Sequence, residues 1–152
     1  MYLHELLTPA LTFCNLDGGS KKRVLETASN LIAEQAQGLA AEEIFSGLIG
    51  RERLGSTGIG SGIAIPHCRL ENATQASGMM IKLAEPIDFD AIDNQPVDLL
   101  FVLLVPSEAS DEHLQTLAML AELFSRAEVL TALRDTTSDQ QLFDTALRLA
   151  SH

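Results

Sequence analysis

The residues of this chain whose types and spacing could do chemistry lie together between Arg51 and Arg69, in RERLGSTGIGSGIAIPHCR. Gly55, Gly58, Gly60 and Gly62 crowd into eight positions, with hydroxyls at Ser56 and Thr57, the arginines Arg51 and Arg53 ahead of them, and His67 directly after Pro66. Glycine loops let backbone N–H groups approach an anion closely. Hydroxyls and guanidinium forks add directed donors to phosphate oxygens. Histidine forms covalent intermediates, because its near-neutral pKa leaves an unprotonated ring nitrogen free to attack. A phosphorylated imidazole remains a good phosphoryl donor, which suits a carrier. The residues alone leave a second reading of His67 open: a strand-end histidine bonded to a backbone carbonyl.

Several phosphate and nucleophile motifs do not fit the loop. A P-loop starting at Gly55 needs lysine after Gly60, where Ser61 stands. A dinucleotide fingerprint starting at Gly58 needs glycine at position 63, where Ile63 stands, and should open a helix rather than a strand. Neither Ser56 nor Ser61 has the flanking glycines of a nucleophile elbow. Cys68 beside His67 raises metal or thiol chemistry. Adjacent residues seldom ligate one ion well, and no nearby His or Cys completes a tetrahedral set, so neither a metal nor a cofactor is expected. Thiol catalysis would need a base held against Cys68 itself.

The elements that must position these residues are legible in the hydrophobic pattern. Ser20 to Ala36 reads as a helix with Val24, Leu25, Ala28, Leu31 and Ile32 on one face, and Gly38 stands where a terminating glycine is expected. A second helix carries Ile44, Phe45, Leu48 and Ile49 and runs into Gly50. Ile63 to Ile65 suits a brief strand closed by Pro66. Met79 to Leu83 is a predicted strand, and Val97 to Val105, apolar apart from Asp98, has the pattern of a strand covered on both faces. In the last third, Ser110 is expected to cap a helix with Leu114, Leu117, Ala118, Ala121 and Phe124 facing inward. Ser138 and Gln141 form a capping-box pattern before Leu142, Phe143, Ala146 and Leu147. Helices before, between and after short strands predict an α/β fold, a three-layer α/β/α sandwich around a small mixed sheet. The 152 residues, with no linker or repeat, are expected to form one domain.

Composition narrows the partners. Ten Lys and Arg against twenty-one Asp and Glu give a formal charge of −11, which disfavours nucleic acid and anionic membranes. A partner protein with a basic face would be steered toward such a surface. The opening MYLHELLTPALTFC lacks a basic leader followed by an apolar core, and the apolar run Leu99 to Val105 is far short of the ~20 residues of a membrane span. The expectation is a cytoplasmic protein with Cys14 and Cys68 reduced.

The thirteen-residue run GSTGIGSGIAIPH, preceded by RERL, resembles the active-site signature of the enzyme IIA proteins of the bacterial phosphoenolpyruvate-dependent phosphotransferase system, mannitol/fructose class, and more closely its nitrogen-regulatory members. The likeness covers nearly the whole chain, including the apolar strand Leu99 to Val105 and the HLQTLAMLAELF segment from His113. It implies that His67 takes a phosphoryl group from a small HPr-type carrier. It implies that His113 lies beside the acceptor, where a helix start would add positive potential. It places Arg53 near the transferring group. The residues themselves leave open a solvent-facing first-turn histidine for His113, and a salt bridge to Glu52 or Glu43 for Arg53. Ser56 and Thr57 are further phosphoryl-stabilising candidates, or stabilisers of the loop. Cys68 departs from the glycine or other small residue expected after the histidine. That change would alter the mobility of the following loop and present a thiol to oxidants.

The resemblance implies a phosphotransferase component. Its phosphohistidine state would control regulatory target proteins, reached through an apolar rim that includes Ile59, with acidic residues outside it. Two alternatives stand beside this: a sugar-transport IIA that passes the group to a IIB permease domain, and a IIA-like binding module without chemistry. The absence of a IIB segment in these 152 residues favours the regulatory role, and the joint presence of His67, His113 and Arg53 disfavours a decayed site.

Overall fold

A computed structural model describes residues 2–36, 38–108 and 111–150, the side chains of 111 and 112 excepted. The chain begins with a helical turn, α1 (Leu3–Leu6), a 3₁₀ turn (Pro9–Leu11) and β1 (Thr12–Leu16), followed by α2 (Lys21–Gln35) and α3 (Ala41–Glu52). Three short strands follow, β2 (Gly58–Gly60), β3 (Ile63–Ala64) and β4 (His67–Leu70), then the long β5 (Ser77–Ile87) and β6 (Val97–Pro106). The chain closes with α4 (Asp111–Leu123), α5 (Ala127–Arg134) and α6 (Asp139–Ala150).

The strands form one mixed sheet in the order β1-β5-β6-β3-β2, with β4 also paired to β6. β5 and β6 are antiparallel, whereas β1 joins β5, and β3 and β4 join β6, in parallel. β6 is therefore flanked on both edges as well as covered on both faces, which is why its sequence is almost unbroken apolar. Its alternating side chains feed two cores. Leu100, Val102 and Leu104 pack with α2 and α3 residues such as Leu25, Ile32, Ile44 and Leu48. Leu99, Phe101, Leu103 and Val105 pack with Leu120, Phe124, Leu130, Leu133 and Leu142. Helices on both faces of a mixed sheet make the expected three-layer sandwich.

Local signals explain most boundaries. Ser20 caps α2 by accepting from the Arg23 N–H at 3.1 Å. Ser138 accepts from Gln141 N–H at 3.1 Å, but Gln141 Oε1 accepts from Thr137 rather than returning to Ser138, so only half of the expected capping box is built. The expected cap of α4, Ser110, lies outside the described residues.

α4 differs from the sequence reading in phase. Its buried positions are His113, Thr116, Leu120 and Leu123, while Leu114 is 63 % exposed and Ala118 also faces solvent. Leu117, Ala121 and Phe124 of the expected face do pack on the core, while Leu114 and Ala118 do not, so the buried stripe is shifted toward His113, Thr116, Leu120 and Leu123 rather than replaced. An alanine- and leucine-rich helix fits either phase by periodicity, and the one adopted adds Leu120 and Leu123 to the core that Phe124 enters in both.

Candidate active site

His67 opens β4, and its position follows from the strand before it. Pro66 ends the β3 segment while its carbonyl accepts from Leu103 N–H at 2.8 Å, so the chain stays on the edge of β6 and His67 falls beside Leu103. The ring is anchored twice. Nδ1 lies 2.8 Å from the Ile65 carbonyl, and Nε2 accepts from Arg51 Nε at 3.3 Å. Nδ1 therefore carries the proton and the Nε2 lone pair faces the guanidinium. The strand-end carbonyl bond and an attacking nitrogen, alternatives in the sequence, are compatible here because they use different nitrogens.

The His113 ring lies 5.9 Å from that of His67, tilted by 50°. It is buried, and its Nδ1 has no hydrogen-bond partner among the described residues. Gly47, Gly50, Arg51, Leu54, His67, Cys68, Arg69 and His113 together line an open cleft of about 370 Å³. Burial, partly offset by the Ile65 carbonyl, lowers the His67 pKa below its ordinary 6.5, and the Arg51 charge adds to the lowering. Burial, then the charges of Arg69 and His67, lower that of His113. Burial thereby favours the neutral form of both imidazoles, with the Glu52 carboxylate acting the other way on His67. The charged residues that line the cleft, Arg51 and Arg69, are cationic. The arrangement suits attack on a dianionic group whose oxygens the two arginines can hold.

The other expected phosphoryl contacts do not line this cleft. Arg53 caps the end of α3, is exposed, and lines a separate cleft with Lys21, Lys22, Phe45, Ile49 and Glu52. It forms no salt bridge to Glu52, which binds Lys21 at 2.9 Å, nor to Glu43, which accepts from Asn72. Ser56 Oγ donates to the Phe89 carbonyl at 2.7 Å and accepts from Gly58 N–H. The Thr57 hydroxyl and N–H both donate to the buried Glu52 carboxylate. These two residues hold the loop to its surroundings.

The glycine segment itself is a hairpin of β2 and β3 rather than an anion cradle. Ser61 sits at φ 60° between Gly60 and Gly62, its N–H donates to Asp93 Oδ2 and its carbonyl accepts from Arg134. Arg134 forks onto Asp98 with two contacts of 2.9 Å. Gly62, at φ 82°, leaves room for that guanidinium, which a Cβ would overlap.

Of the two arginines that the sequence offers, Arg51 rather than Arg53 reaches His67, and the spacing carried a signal for that choice. Gly47, Gly50, Arg51 and Leu54 are spaced i, i+3, i+4, i+7 and form one stripe, whereas Arg53 shares the opposite side with Phe45 and Ile49. Cys68 also differs from expectation. It is buried in the core under α2 and α3, and burial pushes its thiol up to about 12. The thiol stays protonated, so heightened sensitivity to oxidants does not follow. The loop expected after His67 is the strand β4.

Comparison with known proteins gives the family and the fold. The family described as phosphoenolpyruvate-dependent sugar phosphotransferase system, EIIA 2, matches residues 5–147. A nitrogen regulatory protein of Pseudomonas aeruginosa is 48 % identical over 141 residues, which cover 93 % of this chain and 92 % of that protein. The crystal structure of nitrogen regulatory protein IIA-Ntr from Neisseria meningitidis superposes with a TM-score of 0.89 at 39 % identity, covering 95 % of this chain and 98 % of the other. The mannitol IIA of Escherichia coli, solved in complex with phosphorylated mannitol IIB, shares the fold at a TM-score of 0.77 and 19 % identity, covering 96 % and 98 %. With this sheet, this cleft and a match along almost its entire length, the chain belongs to the EIIA 2 family of the phosphoenolpyruvate-dependent sugar phosphotransferase system and is similar to its nitrogen regulatory proteins.

Proposed function

We propose that His67 Nε2 accepts a phosphoryl group from the phosphohistidine of an HPr-type carrier, and that the phosphorylated protein acts as a cytoplasmic regulator. The observation that carries this reading is the pair of contacts on the ring: Nδ1–H to the Ile65 carbonyl, and Nε2 facing Arg51. In the transfer, the bond between phosphorus and the carrier's nitrogen breaks as the bond to Nε2 forms, and the Nδ1 proton stays in place. Arg51 moves from the ring nitrogen to the oxygens of the incoming group, with Arg69 and His113 at its flanks. Positioning and charge carry such reactions.

The exposed Leu54 at the cleft and Leu114 beside His113 supply an apolar rim for the carrier. Phosphorylation adds nearly two negative charges there, which can switch recognition of a target protein. The regulatory role is supported by 48 % identity to a nitrogen regulatory protein. A second reading, transfer onward to a IIB protein, is favoured by the fold shared with the mannitol IIA solved in complex with phosphorylated IIB.

The test is to incubate the protein with phosphoenolpyruvate, enzyme I and an HPr-type carrier, then to take intact masses of wild type and His67→Ala. One acid-labile phosphoryl group on the wild type and none on the variant is expected. No transfer to the wild type, with a control IIA labelled in the same mixture, would overturn the reading. Addition of mannitol and fructose IIB proteins separates the second reading, which requires the label to move on to them.

A further inference from the structure

Gly47 in α3 and Cys68 in β4 touch at the edge of the sheet, directly behind the facing pair Arg51 and His67. A Cβ built on Gly47 would lie 2.8 Å from Cys68 Sγ and 3.1 Å from Cys68 Cβ, with Leu70 Cδ2 next at 3.6 Å. Gly47 is inside a regular helix, where glycine is unfavourable relative to alanine and no special backbone conformation requires it. The close approach of the strand explains the residue. By contrast, a Cβ on Gly50 would meet nothing within 4 Å.

Both members of the contact are tied to the site by short, stiff paths. Gly47 precedes Arg51 by four residues, about one helical turn, on the stripe that lines the cleft. Cys68 is the peptide neighbour of His67, and their strand is held to β6 by the Leu103 and Leu104 register. We propose that the Gly47–Cys68 contact is a positioning device that sets the spacing of α3 from β4 and so holds the Arg51 guanidinium against His67 Nε2. Close-packed interiors transmit displacements rather than absorb them, so a methyl group inserted here pushes the helix, and Arg51 with it, off the ring. The buried, protonated thiol serves as a spacer with no redox part.

The kinetic arm of the test rests on the phosphoryl-transfer reading, and the spectroscopic arm does not. The proteins to compare are wild type, Gly47→Ala, Gly47→Ala/Cys68→Ala and Gly47→Ala/Cys68→Gly. The series removes first Sγ, leaving the 3.1 Å contact, and then Cβ, after which the nearest neighbour is Leu70 at an ordinary 3.6 Å. The readouts are the NMR titration of the His67 ring and single-turnover transfer from the phosphorylated carrier. Gly47→Ala is expected to slow transfer by ~10–100-fold, the scale of an ångström-sized misplacement. It should also raise the His67 titration midpoint as the Arg51 charge withdraws. The double variants should recover both in order, Cys68→Gly further than Cys68→Ala.

Wild-type behaviour of Gly47→Ala in both readouts would overturn the proposal, as would double variants no better than the single one. Should Gly47→Ala leave too little folded protein, Cys68→Val presses the same contact from the strand side. It must move the His67 titration in the same direction, and an unchanged titration there would overturn the proposal too. Failure of the wild type to accept phosphoryl at all would sink the transfer reading alone, leaving the titration series to decide the inference.

Discussion

Two arginines separated by one residue have unlike surroundings. Arg51 donates to His67 at 3.3 Å and to the Gly55 carbonyl at 2.8 Å, while Arg53 sits on another cleft. Removing a preorganised donor to a developing anion typically costs ~10²–10³ in rate. Arg51→Ala should therefore slow transfer to His67 by that order, whereas Arg53→Ala should stay within about twofold of wild type, as surface changes usually do. Single-turnover transfer from a phosphorylated carrier decides between them. Equal losses would mean that Arg53 reaches the group after all. Lysine at position 51 should not restore the rate, since an ammonium lacks the planar fork that can span two oxygens.

The two histidines have a pH consequence. Their native pKa values lie below the ordinary 6.5, chiefly through burial. The unfolded chain therefore binds more protons than the folded one as pH drops through 6.5, and stability falls over that range. Urea unfolding of wild type at about pH 7.5 and 5.5 should show this loss. His113→Gln should show a smaller one, and an equal loss in the variant would mean that its ring titrates normally. The same depression keeps His67 nucleophilic, so the acid limb of the transfer rate should lie below pH 6.5.

At the scale of elements, the glycine hairpin is a scaffold. Gly62 combines φ 82° with the Arg134 guanidinium over its Cα. Gly62→Ala is expected to cost about 1–3 kcal/mol from left-handed strain and overlap together. The measurement is a shift of the urea midpoint with unchanged slope. A neutral effect would show that the Arg134–Asp98 pair yields easily. The helices α2 and α3 were legible from their apolar period, and β6 from its nearly unbroken apolar run. β5 was read only as Met79 to Leu83, because Ala84, Glu85 and Pro86 are exposed and carry no apolar signal. β1 was not legible, since its polar Asn15 sits at φ 62° and breaks the alternation. β2 and β4 are too short, at three and four residues, to show a period at all.

For the whole molecule, the charge of −11 coexists with a cleft that presents Arg51 and Arg69. A basic carrier would be drawn by the long-range field, with the phosphoryl group received by the local cations. Raising salt from about 0.05 to 0.3 M shortens the screening length well below 10 Å. The KM for the phosphorylated carrier should rise with little change in kcat. A salt-independent KM would place recognition in apolar contacts alone.

The chain by itself determined the layered α/β class, the covered central strand and the placement of a histidine behind a strand-ending proline. These are consequences of local pattern: the periods of 2 and 3.6, and the chemistry of proline and glycine in turns. The resemblance named His113 as the neighbour of that histidine, and the rings do lie 5.9 Å apart. How His113 is buried and which arginine reaches the ring were decided in three dimensions. The phase of α4, and with it the burial of His113, follows from packing Leu120 and Leu123 under β6. The choice of Arg51 over Arg53 follows from which face of α3 rests on β4. The thiol of Cys68 is a protonated spacer because Gly47, twenty-one positions earlier, lets the helix close over it. Such contacts join residues distant in sequence, and no local period encodes the rotation of one element against another.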